Sequence, residues 1–441
     1  MATTAEDTNV PCSLSTLDSL AEGAMVQEDI LDASYIKIKA TGFSRDATTY
    51  EFNVESAEDY YDVSRTELMV KFRITRPDGT NLQAGDRVAV ANYPIASLFH
   101  TAELWLGSEP VAHQGSNYAV RGYFEILTSY GRDAQESYLQ AALWYRDTAG
   151  QMDNANHTPV NDQNVIQPHN VGLKNRSEWT NESKLVTVIG KLHFDFFHQP
   201  KPLVNNVSMK VKLHRNDAKY VLISSDANVA YKVLIEDIAL ICRRQTVSPR
   251  ILEAAAGGAS YPFDRIIMRD LQVPAGVESH PVNNFCSGVL PTKVLMGFVR
   301  SEAKQGDYRY NPFNFQHFNV SSIHFKINGQ MVNGEALKMN YANDDVAQGF
   351  WSLMRMKKNR DEGINLERKD YKNGFALYAY DLSVSECDDQ YRDKKQSGVG
   401  EIEFFFSVPT PHNLTLCCYF QYDSEIRVND AGAVVPLFKE K

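Results

Sequence analysis

His193-Phe194-Asp195 is the stretch whose residue types and spacing point most directly to chemistry. On a strand, side chains two apart share a face, so His193 and Asp195 would offer an imidazole and a carboxylate to one metal ion. His-x-Asp plus a distant histidine is the ligand set of non-haem iron oxygenases, and His214 or His280 would supply the third arm. His198 lies an odd number of residues from His193, so a continuing strand would turn it the other way. The competing reading is a polar strand face. Leu192, Phe194 and Phe196 would fill the inner side, leaving His193 and Asp195 toward solvent or an interface.

Other chemistry is thinner. The six cysteines are Cys12, Cys242, Cys286, Cys387, Cys417 and Cys418. None has Cys-x-x-Cys spacing, and the adjacent pair would point opposite ways on a strand, so they read as buried free thiols in a reducing compartment. No Gly-x-Ser-x-Gly elbow, phosphate loop or Gly-x-Gly-x-x-Gly occurs. Asp344-Asp345 and Asp388-Asp389 fit solvated loop charge or helix capping better than acid–base work. Catalytic residues, cofactors and metals are therefore expected to be absent.

These residues sit within a repeated pattern. Asn311-Pro312-Phe313-Asn314-Phe315-Gln316-His317-Phe318 leads into an alternating run in which Ile323, Phe325 and Ile327 share a face. Asn328-Gly329 suits a two-residue hairpin turn that needs positive φ at both positions. Ala347, Phe350, Trp351 and Met354 follow at helical spacing. An earlier stretch, beginning at Pro94, echoes this. Ala102, Leu104 and Leu106 alternate, Gly107-Ser108 makes a Gly-x turn, and Val120, Tyr123, Phe124 and Leu127 form a helical stripe. The second copy has six more residues between hairpin and helix. His100 and His317 hold corresponding places before the two hairpins, where a shared structural hydrogen bond is expected.

At 441 residues the chain suits two domains of about 200 residues each. Its 22 Tyr and 22 Phe, with recurrent Asn, Asp and Gly breaks, favour strands and turns. Candidate strands are 35–39, 50–54, 68–74, 102–106, 185–197, 207–213 and 231–242 in the first half. In the second they are 265–272, 289–299, 323–327, 375–382, 401–408 and 414–422. The reading is all-β: two tandem eight-stranded jelly rolls with short inserted helices. Residues 1–34 form an arm, 35–247 the first roll, 248–260 a linker and 261–441 the second roll.

The formal charge of −10 argues against broad direct binding of nucleic acid. Arg243-Arg244 and Met356-Lys357-Lys358-Asn359-Arg360 are the local basic runs. No secretory leader or membrane span is read, and the six Asn-x-Ser/Thr sequons are taken as coincidental.

Several blocks together resemble one family. They are Arg121-Gly122-Tyr123-Phe124-Glu125 with Tyr130-Gly131, and Tyr145-Arg146-Asp147-Thr148-Ala149-Gly150-Gln151-Met152-Asp153. The others are Gly190-Lys191-Leu192-His193-Phe194-Asp195-Phe196-Phe197, Leu290-Pro291-Thr292-Lys293, and Asn311-Pro312-Phe313-Asn314-Phe315. In order and spacing they resemble the major capsid proteins of Polinton (Maverick) elements and adintoviruses, of the double jelly-roll lineage. The resemblance spans most of residues 35–330. It implies a homotrimer forming a pseudo-hexagonal capsomer, neighbouring capsomers, penton and minor capsid proteins as partners, and a self-assembling icosahedral virion capsid. It further implies synthesis in the host cytoplasm and assembly in the nucleus. Under it, loops 131–183 and 357–372 are candidates for a tower or intersubunit clasp, with Trp144, Tyr145 and Trp179 as aromatic anchors. The alternative function is a soluble jelly-roll oxygenase or ligand-binding protein using His193 and Asp195.

Overall fold

The computed structural model describes residues 27–55, 58–115, 117–155, 169–226, 228–356, 363–384 and 392–437. In the first half, β1 (Ile30–Lys39), β10 (Lys232–Val247), β3 (Tyr60–Thr75) and β7 (Val186–Lys191) lie side by side in that order. The second sheet runs β2 (Thr49–Val54), β8 (Met209–Arg215), β5 (Phe99–Leu106) and β6 (Glu109–Gln114). Every neighbouring pair is antiparallel. Chain-distant strands thus lie adjacent, which is the double Greek key of a jelly roll.

The second half repeats this order strand for strand. One sheet is β11 (Ala259–Val273), β19 (Leu414–Val428), β13 (Lys293–Arg300) and β17 (Leu377–Asp381). The other is β12 (Ser279–Val289), β18 (Ser397–Phe406), β14 (Val320–Ile327) and β15 (Gln330–Met331). Two short strands extend the second-half sheets, and one pair forms a small sheet of its own. β4 (Val88–Val90) pairs with β9 (Leu222–Ser224), β16 (Leu337–Lys338) with β14, and β20 (Val434–Pro436) with β19. The fold is a double jelly roll, as the patterning predicts.

Alternation explains the core. Tyr50, Phe52 and Val54 on β2 face inward opposite Leu213, Val211 and Met209 on β8, and all six are buried. Ala102, Leu104 and Leu106 on β5 join them. The hairpin turns have the predicted backbone. Asn328 and Gly329 sit at φ 51° and 80°, and Gly107 at φ 59°.

Helices fill the connections. They are α1 (Pro94–Ser97), α2 (Tyr118–Ser129), α3 (Arg132–Gln135), α4 (Val171–Thr180) and α5 (Ala218–Val221), then α6 (Pro249–Ala255), α7 (Ser301–Gln305), α8 (Ala347–Met354) and α9 (Arg368–Tyr371). α2 and α8 enter at matching points, before β7 and β17, each the fourth strand in its sheet.

Four local expectations need correction. The run read as strand 185–197 ends at Lys191, and Asp195–His198 is a tight 3-10 turn. The segment read as largely aperiodic, 131–183, contains α3 and α4. β12 was not among the candidate strands; it carries Pro281, Asn283 and Asn284, residues disfavoured in strand interiors. It is an edge strand with a register shift between Val282 and Cys286, where such residues are tolerated. On α8 the expected stripe holds only in part: Phe350 and Met354 are half-buried against the core, but Val346, Gly349 and Leu353 are the buried positions and Trp351 is 60% exposed. Besides these, β1 begins at Ile30, inside the stretch read as an arm, and α6 occupies the stretch read as a linker.

Candidate functional site

Two buried polar assemblies stand out. The first contains the residues that opened the sequence reading. Because β7 stops at Lys191, the chain turns inward and carries His193 and Asp195 into the first roll, where they are 1% and 2% exposed. The expectation that they face solvent or an interface is overturned. Nor do the two act together as ligands. Asp195 Oδ1 pairs with Arg121 Nη2 at 2.6 Å, and Arg121 Nε donates to Glu125 Oε1 at 2.7 Å. Arg121 and Glu125 are one turn apart on α2, so the helix presents both from one face.

His193 turns to Glu125 instead, with Nδ1 2.5 Å from Oε2. The 3-10 turn also swings His198 round, so its Nε2 lies 3.2 Å from the same oxygen. The strand-parity expectation for His198 is therefore overturned. Burial pushes the Glu125 carboxyl up, but Arg121 and the two histidines hold it well below the usual carboxylate range. Burial lowers the His193 imidazole despite Glu125. His214, one expected third ligand, sits elsewhere, 3.0 Å from Glu103 Oε1 and stacked on His100. His280 lies on β12 in the second roll.

The second assembly joins the two rolls. Asp147 is buried and accepts from Arg176 Nη2 and Asn170 Nδ2 through Oδ1 at 2.7 and 2.8 Å. Its Oδ2 accepts from Asn311 Nδ2 of the second half at 3.1 Å. Arg176, fully buried, also donates to Val90 O and Tyr145 O. Asn170 caps α4 by accepting from Leu173 N. Asp153 accepts from Asn311 N and Asn314 Nδ2, both at 2.7 Å. Phe313 and Phe315 then enter the first roll. The Phe313 ring stacks on Tyr123 at 4.5 Å, and Phe315 meets Phe124 at 5.0 Å. Outside this core, Arg146 reaches Asp370 Oδ2 at 2.7 Å and Asn365 O at 2.8 Å.

The Asn311-Pro312-Phe313-Asn314-Phe315 motif is thus a plug between rolls. Loop 131–183 and residues 363–372 bond to one another within this chain through Gln135, Arg146, Asn365 and Asp370. Residues 156–168 and 357–362 lie outside the described residues, as do Cys12, Cys387 and Asp388-Asp389. Trp144 is also corrected: it is 1% exposed, packed on Tyr93 and Tyr123, and donates to Gln135 Oε1. Trp179 is 53% exposed and donates to the half-buried Tyr145 hydroxyl at 3.2 Å.

Pro94 opens α1 after Tyr93 at φ 54°. Beside it, Asn92 is fully buried and accepts from Tyr145 N at 3.1 Å, a role the sequence reading missed. Its signal was the Asn-x-Pro spacing at 92–94 beside Asn-Pro at 311–312. His100 and His317 do not share a hydrogen bond. His100 Nδ1 meets Thr101 Oγ1 at 2.6 Å, whereas His317 stacks on Tyr341 at 3.9 Å and accepts from Asn319 N. Arg243 and Arg244 lie beside Asp62 and Asp59, which neutralise that basic run. Cys242, Cys286, Cys417 and Cys418 are buried free thiols; burial pushes Cys242 and Cys417 up to about 12. Among the described residues no helix is long and apolar enough to cross a membrane.

No family model matches the chain. The uncharacterized protein F54H12.2 of Caenorhabditis elegans is 21% identical over 387 residues, covering 83% of this chain and 88% of its own. Among solved structures, a chain of the Sputnik virophage aligns with a TM-score of 0.68 at 13% identity, over 99% of this chain and 94% of its own. The PBCV-1 virus capsid aligns at 0.60 and 10% identity, over 96% and 100%. The mavirus major capsid protein aligns at 0.53 and 10% identity, over 99% and 95%. At such identities the likeness is one of architecture, and it spans both halves: this chain has the double jelly-roll fold found in those viral proteins.

Proposed function

We propose that this chain is a viral major capsid protein of the Polinton (Maverick) and adintovirus lineage, which trimerises and self-assembles into an icosahedral shell. The observation that carries the reading is the pair of jelly rolls with the same strand order, fixed to each other by a buried clasp. Three such chains present six similar barrels, which approximate a hexagon and tile a closed surface. A rigid joint between rolls suits that task, since tiling needs a constant angle. Likeness to the PBCV-1 virus capsid and the mavirus major capsid protein supports it further.

Neighbouring capsomers, penton proteins and minor capsid proteins are the partners in this reading. Localisation is the virion capsid, with synthesis in the host cytoplasm and assembly in the nucleus. Tyr145 and Trp179 remain candidate subunit anchors. The oxygenase alternative loses the pairing on which it rested, because Asp195 is engaged by Arg121 and His193 by Glu125.

Light scattering on the purified protein tests the proposal. A stable species of three 49.7-kDa chains, with three-fold blocks or shells in electron micrographs, is the expected result. A monomer at every concentration, with no ordered assemblies, would overturn it.

A further inference from the structure

We infer that Glu125, His193 and His198 form a binding site for a divalent transition metal; two imidazole nitrogens and one carboxylate oxygen are a ligand set that zinc takes. The inference is independent of the capsid reading and differs from the His193–Asp195 pairing suggested by sequence.

Geometry is the first support. The three ligand atoms all lie within 4.8 Å of one another. Tetrahedral zinc with bonds of about 2.0–2.1 Å separates its ligand atoms by about 3.3 Å. His198 Nε2 already stands 3.2 Å from Glu125 Oε2. His193 Nδ1, at 2.5 Å, needs to retreat by less than about 1 Å. Arg121 holds the other oxygen, Oε1, and so leaves Oε2 to the imidazoles.

Proton bookkeeping is the second support. The Tyr93 hydroxyl has one proton, which it donates to Lys191 O at 3.0 Å. With its proton on that carbonyl, its oxygen can accept from His193 Nε2, 3.1 Å away, the tautomer that a metal on Nδ1 requires. That tautomer leaves His193 Nδ1 as a bare lone pair facing a carboxylate oxygen. Two acceptors so close need a cation between them: a second proton on the ring, or a metal. The chain Nε2–H to Tyr93 to Lys191 O is also the outer-shell support that a metal-bound histidine requires. His198 is 37% exposed, so the site opens to solvent there for a fourth, water ligand. A metal here would pin α2 to the 3-10 turn that follows β7.

The test uses the full chain, stripped with chelator and titrated with Zn²⁺ alone. The expected result is retention of about one zinc per chain. A rise of about 3 °C in melting temperature at a hundredfold excess over the dissociation constant should accompany it. Both should be lost in His198→Ala, whose side chain is exposed enough for the fold to survive, and kept in His214→Ala. If His198→Ala fails to fold, Co²⁺-loaded wild type decides: intense visible bands of tetrahedral cobalt support the site, and a pale octahedral spectrum overturns it. Failure of wild type to retain stoichiometric zinc, or equal retention by His198→Ala, would mean that a proton bridges Glu125 and His193 and would overturn the inference.

Discussion

Single side chains decide how firmly the two rolls are joined. Asp147 is the only carboxylate among the described residues that touches Arg176, and it also meets Asn170 and Asn311. Removing one member of such a buried pair strands the other charge. Asp147→Ala should therefore cost about 3–5 kcal/mol, read from urea unfolding. A loss below about 1 kcal/mol would show that the clasp is not stabilising. His317 makes a different prediction. Burial, with Lys372 nearby, lowers its imidazole to about 4 in the fold. Its pKa in the unfolded chain is about 6.5, so the unfolded state binds more protons between those values. The contribution is complete above about pH 6.5 and is lost as pH falls toward 4, by up to about 3 kcal/mol. His317→Phe keeps a ring on Tyr341 and removes the titration, so its stability should fall less steeply across that window. Parallel curves for the two proteins would refute the assignment.

At the scale of elements, helix phase is the instructive case. α8 carries Trp351 at a position that helical spacing assigns inward, yet Gly349 and Leu353 face the roll, with Phe350 half-buried beside them against Tyr371. Gly349 is required there, since a Cβ would come within 2.7 Å of the Tyr371 hydroxyl oxygen. Leu353→Ala should cost about 2–5 kcal/mol through the cavity it leaves. Trp351→Ser should stay within about 0.5 kcal/mol in the isolated protein, because the ring is largely in solvent with Arg355 over it. Equal effects of the two substitutions in thermal unfolding would contradict this phase. β7 teaches the same lesson. Alternation along 185–197 was real, but it could not reveal that the chain turns after Lys191. That turn brings His193 and His198 to one carboxylate and separates His193 from Asp195.

At the scale of the molecule, the clasp makes one body of two domains, and assembly becomes a question of which faces stay uncovered. Trp144 and much of the clasp are consumed internally. Trp179 remains outside, propped by Tyr145. If it is a trimer anchor, Trp179→Ala should leave monomer stability within about 0.5 kcal/mol and weaken association by about 2 kcal/mol or more. Sedimentation across a concentration series checks this, and an unchanged trimer would remove Trp179 from the interface.

Two-residue periodicity, turn residues at fixed offsets and an internal echo were enough to give a pair of jelly rolls, because they are local consequences of backbone geometry. Asn328-Gly329 could be read directly, since its chemistry lies within the two residues. The buried site could not. Arg121, Glu125, His193 and His198 meet only because a helix, a strand end and a 3-10 turn converge in space, and no spacing along the chain encodes that meeting. The clasp was half visible: its blocks were recognisable, but Asp147 and Asn311 are 164 residues apart, and only tertiary packing decided that they bond within one chain.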